Sequence, residues 1–457
     1  MARREHMIIV AMLILMIFSI NTTLLTGYTA SLIELSKSMC RGSLYLEKVE
    51  WFYTDYIVID NRYVFAGPIG VSLILSPLAC ILDNKVEILF AGGFIMSLSI
   101  IISAVLLFYF LRELSPGRYA LTSVLIVVLS SLPWIYSSHI FPQAILTMCY
   151  SALILYTQRI LSSRDLNSLS IALHSLFSLI AFLSDPSTII LIIALSSIAL
   201  TRLSYLVRRG ILKRGRMILF IVEWLIIFSP ALVFQAYYNA STTGSMIIFP
   251  EVLYSKERGL GSGFNLSLIP AGLVAQLIDP RKSLLSLYPA SFISLIYLYR
   301  SLDLLEERLL KVSYVAMIII PLIVYSSWHD FHGGLSYGPR FLTPVTVLLS
   351  LSVYYILNHG RTYEKILILS LSTYSVLENS IVLSSTPYPC AFQDLKLLEN
   401  QFYTCSVRQL IENPGASLLS TLLRDLIESN SLANMISAGI LFTLAMLIIF
   451  ISFRERI

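Results

Sequence analysis

Charged residues are scarce in this sequence. Asp, Glu, Lys and Arg make up only 13% of its 457 residues, whereas a soluble globular domain carries about 25%. Hydrophobic residues make up 56%, and the mean hydropathy is +0.79. The shortage of charge excludes an ordinary soluble protein, and the small net charge of +5 does not indicate a nucleic-acid partner. The composition predicts a polytopic membrane protein.

Cysteine is also rare, with five residues in the chain. No Cys/His spacing suggests a zinc site. Cys80 and Cys149 fall in apolar runs, where plain packing is expected. Cys390 and Cys405 share a polar loop and can pair if that loop is extracytoplasmic, which the sequence leaves open. Internal repeats and low-complexity tracts are absent from the sequence as well.

Long apolar runs dominate the chain instead. A helix needs about 20 apolar residues to cross a bilayer, and about twelve runs approach that length. They are 7–26, 86–111, 119–138, 141–160, 167–184, 187–204, 217–238, 284–299, 312–328, 341–357, 364–384 and 431–452. The first resembles a signal peptide in position, but it is long and no cleavage site stands out, so we interpret it as an uncleaved helix. The predicted fold class is all-α, with about 12 transmembrane helices.

Basic residues predict the orientation of these helices. If the N-terminus is cytoplasmic, successive helices cross the membrane in alternating directions, and this determines which connections are cytoplasmic. Each of those connections carries Arg or Lys near the helix ends. The densest basic cluster among them is "RRGILKRGR". The outer loops are then 27–85, 239–283, 328–340 and 385–430. We therefore expect a multi-pass protein of the plasma membrane with both termini in the cytoplasm.

The first outer loop is long and only partly polar. Its stretch "GPIGVSLILSPLACIL" (67–82) is apolar but too short to span, which favours a juxtamembrane or re-entrant helix. The chain divides into a transmembrane region 1–384, an outer loop 385–430, and a last helix with a cytoplasmic tail 431–457.

Five carboxylates lie in the first outer loop: Glu34, Glu47, Glu50, Asp55 and Asp60. Asp55 is surrounded by aromatic and β-branched residues in "WFYTDYIVID". Partial burial would raise its pKa and suit it to general-base catalysis. Asp60 is the second candidate, and a solvated loop carboxylate is the alternative for each of them.

The stretch "WHDFHGGLSYGPRF" (328–341) places many polar groups between two apolar runs. Pro339 can begin a helix and leaves Arg340 at its start, where a helix N-terminus and a guanidinium attract phosphate. A snorkelling interfacial arginine is the alternative. Polar groups at membrane depth tend to be functional, so His329 and His332 are expected to form a wall of the site. The sequence assigns no cofactor. It leaves open whether His329, Asp330 and His332 bind a divalent cation.

Two further stretches precede helices at the outer face. In "LIDPRKSLLSLYP" (277–289), Arg281 and Lys282 contradict the positive-inside rule, which suggests an anionic ligand there. An internal salt bridge from Asp279 is the alternative. In "LPWIYSSHIFPQA" (132–144), His139 is a third wall candidate, with an interfacial aromatic belt as the alternative.

Four segments in order resemble the GT-C glycosyltransferases, which use polyprenyl-phosphate sugars. The likeness is to the group that includes protein O-mannosyltransferases and the aminoarabinose transferases of lipid A. The segments are "DNRYVFAGPIGVSLILSP", "LPWIYSSHIFPQAILTMCYSALILY", "LIDPRKSLLSLYP" and "GGLSYGPRFLTPV". Together they span residues 60 to 345. The chain differs from many members of the family in one respect. Those members carry an Asp-Glu pair directly after the first helix, where this chain has Leu25-Thr26-Gly27-Tyr28.

The resemblance implies a catalytic region within 1–384 and an inverting sugar transfer. A loop carboxylate, here Asp55, would deprotonate an acceptor hydroxyl outside the cytoplasm. Arg340, Arg281 and Lys282, with Tyr337 beside them, would bind the phosphate of a polyprenyl (dolichyl) phosphate donor. The acceptor would be a protein, lipid or glycan. A multi-spanning transporter or flippase of an anionic substrate is the alternative, and a lipid-binding or assembly protein without catalysis is the third.

Overall fold

The structure is a computed structural model. It describes residues 2–22, 26–50, 54–115, 117–162, 167–261, 263–280, 282–331, 333, 337–385, 417–427 and 429–453. The predicted outer loop with Cys390 and Cys405 lies largely outside these residues, and so do the two cysteines themselves.

Within the described residues, eight helical segments are long and apolar enough to cross a membrane. They are Lys85–Leu114, Pro142–Ser162, Pro186–Arg208, Arg214–Thr243, Arg308–Ser326, Arg340–His359, Thr362–Ser384 and Asn430–Phe453. Each matches one of the predicted runs. The chain is an integral membrane protein of mainly helical structure, as the composition predicts.

The count of twelve spans is not confirmed, because within the described residues the other four predicted runs form shorter or broken helices. These are Ala2–Ser19, the pair Ala120–Leu129 and Leu132–Ser137, Ser168–Ser184, and the series Leu284–Leu287, Pro289–Ile296 and Leu298–Ser301. In the first helix, Arg4 and Glu5 occupy the opening turns and shorten the apolar stretch.

Prolines account for two of the breaks. Pro133 cannot donate to the carbonyl of Leu129 and its ring would clash with it, so the helix ends at Leu129. Pro289 forces the preceding Tyr288 out of the helical region, to φ −132° and ψ 61°. Apolar length alone does not reveal such interruptions.

The remaining helical elements of the described chain either connect these helices or are parts of the spans. They are Pro186–Thr188, Ile189–Arg208, Pro250–Glu257, Leu266–Leu268, Ile269–Leu277, Leu302–Leu304, Arg340–Leu342, Thr343–Leu348, Ser350–His359 and Leu418–Ile427. The Ile189 helix continues the Pro186 turn, and the three segments between Arg340 and His359 together make one span. The helix Pro142–Ser162 is the most enclosed of the spans and packs against Lys85–Leu114 and Ser168–Ser184.

The first loop folds over one end of this bundle as two helices and a hairpin. The helices are Gly27–Cys40 and Gly70–Ile81, the second of which matches the predicted short juxtamembrane helix. The strands Tyr56–Ile59 and Arg62–Phe65 pair antiparallel with Tyr56 opposite Phe65. Asp60 and Asn61 form the two-residue turn with φ 49° and 60°, the conformation that tight hairpins require.

A disulfide joins Cys40 to Cys80, with their Cα atoms 5.4 Å apart. The expectation that Cys80 is a plain packing residue is therefore wrong. Its apolar helix lies alongside the helix Gly27–Cys40, which places the two thiols together, and the sequence gives no sign of that contact. Cys149 is free and buried, as expected.

Removing this disulfide is expected to destabilise the first loop by about 2–4 kcal/mol, because the bond closes a long loop of the unfolded chain. The double variant Cys40→Ala/Cys80→Ala should melt at a lower temperature in detergent than the wild type. A reductant should lower the melting temperature of the wild type to the same extent and leave the double variant unchanged. A reductant effect on the double variant would contradict this interpretation.

Candidate active site

A cavity of about 270 Å³ lies where several helix ends meet beneath the first loop. The helices that begin at Pro142 and Pro186 start beside it, and the helix that ends at Ser326 stops beside it. Eight of its 21 lining residues are aromatic. Its lining includes three carboxyl groups and one guanidinium group: those of Asp55, Asp185, Glu251 and Arg340.

Asp55 enters the cavity from the edge of the hairpin. Its backbone has φ 58°, a left-handed conformation that Asp tolerates better than most residues, and its carbonyl accepts the N–H of Ala66 at 2.7 Å. Thr54 donates its hydroxyl to Oδ2 at 2.7 Å. Burial raises the pKa of Asp55, while the Thr54 hydrogen bond and the charge of Arg340 oppose the rise. The result is a partly buried carboxyl whose Oδ2 is held by a hydrogen bond.

Asp185 occupies the tight turn between two membrane helices. Its Oδ1 accepts the backbone N–H of Ser187 at 3.0 Å, and its Oδ2 accepts the hydroxyl of Tyr325 at 2.6 Å. Burial raises its pKa, and the two hydrogen-bond donors oppose the rise. Both oxygens are held, so this carboxyl has one fixed orientation.

Glu251 approaches from the short helix Pro250–Glu257. Burial raises its pKa to about 8, and the neighbouring Asp185 and Asp55 act in the same direction. Three carboxyls around one cavity therefore disfavour one another's ionised forms. Glu251 holds its proton at neutral pH and can donate a hydrogen bond.

This shift predicts that stability falls as pH rises from about 4.5 to about 8. In that window the unfolded state has lost the Glu251 proton and the folded state has kept it, so each rise in pH favours unfolding. Glu251 should therefore contribute a decline to the melting temperature in detergent from pH 5 to 8, while Lys282 and His139, whose pKa values burial lowers, contribute a rise. Glu251→Gln should remove part of that decline, and an unchanged slope in this variant would contradict the prediction.

Arg340 is the cation of the cavity. Its guanidinium lies over the rings of Phe341 at 4.7 Å and Phe141 at 5.9 Å. Its Nε is buried and has no hydrogen-bond partner among the described residues. A buried donor without a partner is rare. An anionic ligand in the cavity would supply the missing acceptor.

Lys282 lies near this cation without lining the cavity. It is 8% exposed. Burial lowers its pKa to about 7, with Asp330 opposing the change and Arg340 adding to it. Arg281 and His332, which the sequence assigns to the phosphate site and its wall, lie outside the described residues.

Two other predicted residues point elsewhere. Asp60 is exposed on the hairpin turn and does not line the cavity. Tyr337 is fully buried, and its hydroxyl donates to Oε1 of Glu378 at 2.7 Å. The structure thus brings Asp55 and Arg340 together and leaves Asp60 and the Tyr337 side chain outside the cavity lining.

Two of the predicted wall histidines, His139 and His329, are described by the structure, and neither lines the cavity. His139 exchanges hydrogen bonds with Asn21 at 3.1 Å and Ser138 at 2.5 Å, and burial lowers its pKa to about 4. It is therefore neutral at physiological pH. His329 packs on Trp328, which does line the cavity, and burial lowers its pKa.

Across the described part of the chain, no group of three or more His, Cys, Asp or Glu side chains is arranged to hold a metal ion. The trio His329, Asp330 and His332 is not tested by this, because His332 lies outside that part.

Comparison by sequence gives no relatives. No protein-family profile matches the chain, and no curated protein matches it significantly.

Comparison by structure does give matches. The crystal structure of ArnT from Cupriavidus metallidurans bound to undecaprenyl phosphate has a TM-score of 0.57 at 13% identity, over 99% of this chain and 77% of that chain. The apo state of the same protein gives 0.57 at 14% identity, over 99% and 76%. AglB, the archaeal oligosaccharyltransferase from Archaeoglobus fulgidus in complex with an inhibitory peptide and a dolichol-phosphate, gives 0.46 at 11% identity, over 82% and 55%.

The match to ArnT establishes the fold. The chain has the GT-C fold over nearly its whole length, which confirms the expectation drawn from the four sequence segments.

Sequence reasoning missed Asp185 and Glu251 as site residues. Asp185 had a usable signal, because an Asp-Pro turn between two apolar runs puts a carboxyl at the membrane face. Glu251 had none, since its neighbours in "FPEVLYSKE" resemble an ordinary short surface helix.

Proposed function

We propose that the protein is a glycosyltransferase that moves a sugar from a polyprenyl phosphate to an acceptor hydroxyl outside the cytoplasm. The observation that carries this proposal is the cavity shared by Asp55 and Arg340 in a GT-C fold. ArnT was crystallised with undecaprenyl phosphate, and by analogy the donor here is a lipid of that class.

In the proposed reaction Asp55 is the general base. Its carboxylate takes the proton of the acceptor hydroxyl, whose oxygen then attacks the anomeric carbon. The bond from that carbon to the phosphate oxygen breaks, and the electron pair leaves with the phosphate. Arg340 stabilises the negative charge on the leaving polyprenyl phosphate. Attack opposite the leaving group inverts the configuration at the anomeric carbon.

The other acids of the cavity would bind the sugar. Asp185, with both oxygens oriented by Tyr325 and Ser187, would accept hydrogen bonds from sugar hydroxyls. Glu251, protonated below about pH 8, would donate one. The aromatic wall excludes water and strengthens these contacts.

The cavity would open on the extracytoplasmic side. The basic cluster "RRGILKRGR" connects the far ends of two spans, and the positive-inside rule assigns it to the cytoplasm. A disulfide in the first loop agrees with an oxidising compartment.

The test is sugar release from defined donors. The purified full-length protein in detergent is incubated with undecaprenyl- and dolichyl-phosphate sugars plus a membrane extract as acceptor source. Formation of free polyprenyl phosphate, together with a glycosylated product of inverted configuration, is expected. An absence of release with every donor, together with transbilayer movement of the intact donor in proteoliposomes, would favour the transporter instead.

A further inference from the structure

Glu378 is a carboxyl-bearing residue inside a membrane helix. It is 1% exposed and lies six residues before the end of the helix Thr362–Ser384, or about 9 Å along its axis. Such a group is expensive at this depth and usually has a specific partner. The partner here is the hydroxyl of Tyr337, which donates to Oε1 at 2.7 Å.

Asn379, the next residue of the same helix, forms hydrogen bonds to the chain segment just before the helix Leu132–Ser137. The amide of Asn379 donates to the carbonyls of Leu129 and Ser131, both at 3.0 Å. These carbonyls lie at the break before Pro133, where no helical N–H is available for Leu129. Asn379 therefore supplies the hydrogen-bond donor that the carbonyls at the break lack. It also attaches the helix Leu132–Ser137 to the helix that carries Glu378.

The hydrogen bonds of Glu378 and Asn379 both hold elements that contact the loop before Arg340. Tyr337 lies three residues before it in the chain, and its carbonyl accepts the hydroxyl of Tyr136 at 2.7 Å. Between them Gly338 has φ 62°, and a Cβ there would come within 2.8 Å of the Leu132 side chain. The loop before Arg340 is thus packed against the helix Leu132–Ser137 and bonded to Glu378.

We infer that Glu378 is a positioning residue: through the Tyr337 hydroxyl it fixes the loop that aims the guanidinium of Arg340 into the cavity. Arg340 has few constraints of its own, since its Nε has no partner among the described residues and its guanidinium is flanked by aromatic rings. The inference rests on the proposed phosphate role of Arg340. It assigns a function to a costly buried carboxyl that the transfer chemistry itself does not use.

The experiment measures binding of undecaprenyl phosphate to the purified full-length protein, with undecaprenol as the tail-only control ligand. Tyr337→Phe and Glu378→Ala should each weaken phosphate-dependent binding about tenfold, and Arg340→Ala about a hundredfold. Glu378→Gln keeps an acceptor oxygen and should bind within about threefold of wild type. In an Arg340→Ala background, Tyr337→Phe should weaken binding no further, because its effect acts through Arg340. If Tyr337 had a merely structural role, Tyr337→Phe would weaken binding in that background as well.

Tyr354→Phe is the matched structural control. It removes another buried tyrosine hydroxyl, whose bond to the Ser115 carbonyl at 3.0 Å lies away from the cavity, and it should leave binding unchanged.

Two results would overturn the inference while leaving the proposed function intact. One is wild-type binding by Tyr337→Phe and Glu378→Ala when Arg340→Ala is weakened. The other is equal weakening in Glu378→Gln and Glu378→Ala. Equal binding of undecaprenyl phosphate and undecaprenol by the wild type would instead contradict the proposed function.

Discussion

Replacing Asp55 by Asn is expected to lower the rate of sugar transfer by about 10²- to 10⁴-fold, the contribution of a positioned general base. The substitution keeps the size of the side chain and an oxygen that can accept the Thr54 hydroxyl, so the local structure should persist. Only the capacity to take a proton is lost. Turnover of a polyprenyl-phosphate sugar under saturating donor checks this, together with binding of undecaprenyl phosphate, which should stay within about threefold of wild type.

Asp83→Asn is the matched control for this variant. Asp83 is an exposed carboxylate in the same loop and does not line the cavity. Its variant should turn over like the wild type. Undiminished transfer by Asp55→Asn would exclude the base role and leave Asp185 as the carboxylate to test next.

Arg340→Ala is expected to weaken binding of the polyprenyl phosphate about 100-fold, because charge-assisted hydrogen bonds contribute about 1.5–3 kcal/mol each and a guanidinium can make more than one. Arg340→Lys should recover only part of that loss. A lysine keeps the charge but lacks the planar fork and the stacking on Phe141 and Phe341. The difference between affinities for undecaprenyl phosphate and undecaprenol isolates the phosphate contribution.

Arg62→Ala provides the control for removing an arginine that stacks on an aromatic ring. Arg62 belongs to the hairpin, and its guanidinium lies 4.8 Å from the ring of Tyr45. Neither residue lines the cavity. The Arg62 variant should bind both lipids normally. A similar loss in the Arg62 and Arg340 variants would point to a general destabilisation of the outer loops and would remove the argument for a phosphate site.

The two strongest site predictions from sequence relied on local chemistry. Asp55 was singled out because a carboxylate among aromatic and β-branched residues is expected to be buried, and burial does raise its pKa. Arg340 was singled out because it follows Pro339 at the start of an apolar run, and it does begin a membrane helix. Both features depend on residues within a short stretch of chain.

Tyr337 shows where such reasoning stops. It lies three residues before Arg340 in the sequence, and that proximity predicts a donor-binding role. Its side chain instead turns inward to Glu378, which is 41 residues away in the chain. Proximity in the sequence limits how far apart two residues can be. It does not determine the direction of a loop side chain whose hydrogen-bond partner lies on another helix.

The amino-acid sequence alone determined the membrane environment, eight of the spans, the ordered segments of a GT-C fold, and the two residues with distinctive local surroundings. These properties follow from hydrophobic length, proline and charge, which act over one or two helical turns. Only the tertiary structure decided the Cys40–Cys80 bond and the assembly of Asp185 and Glu251 with Asp55 around one cavity. Those features arise where distant helix ends meet, and the packing that brings them together is a property of the whole bundle rather than of any stretch of sequence.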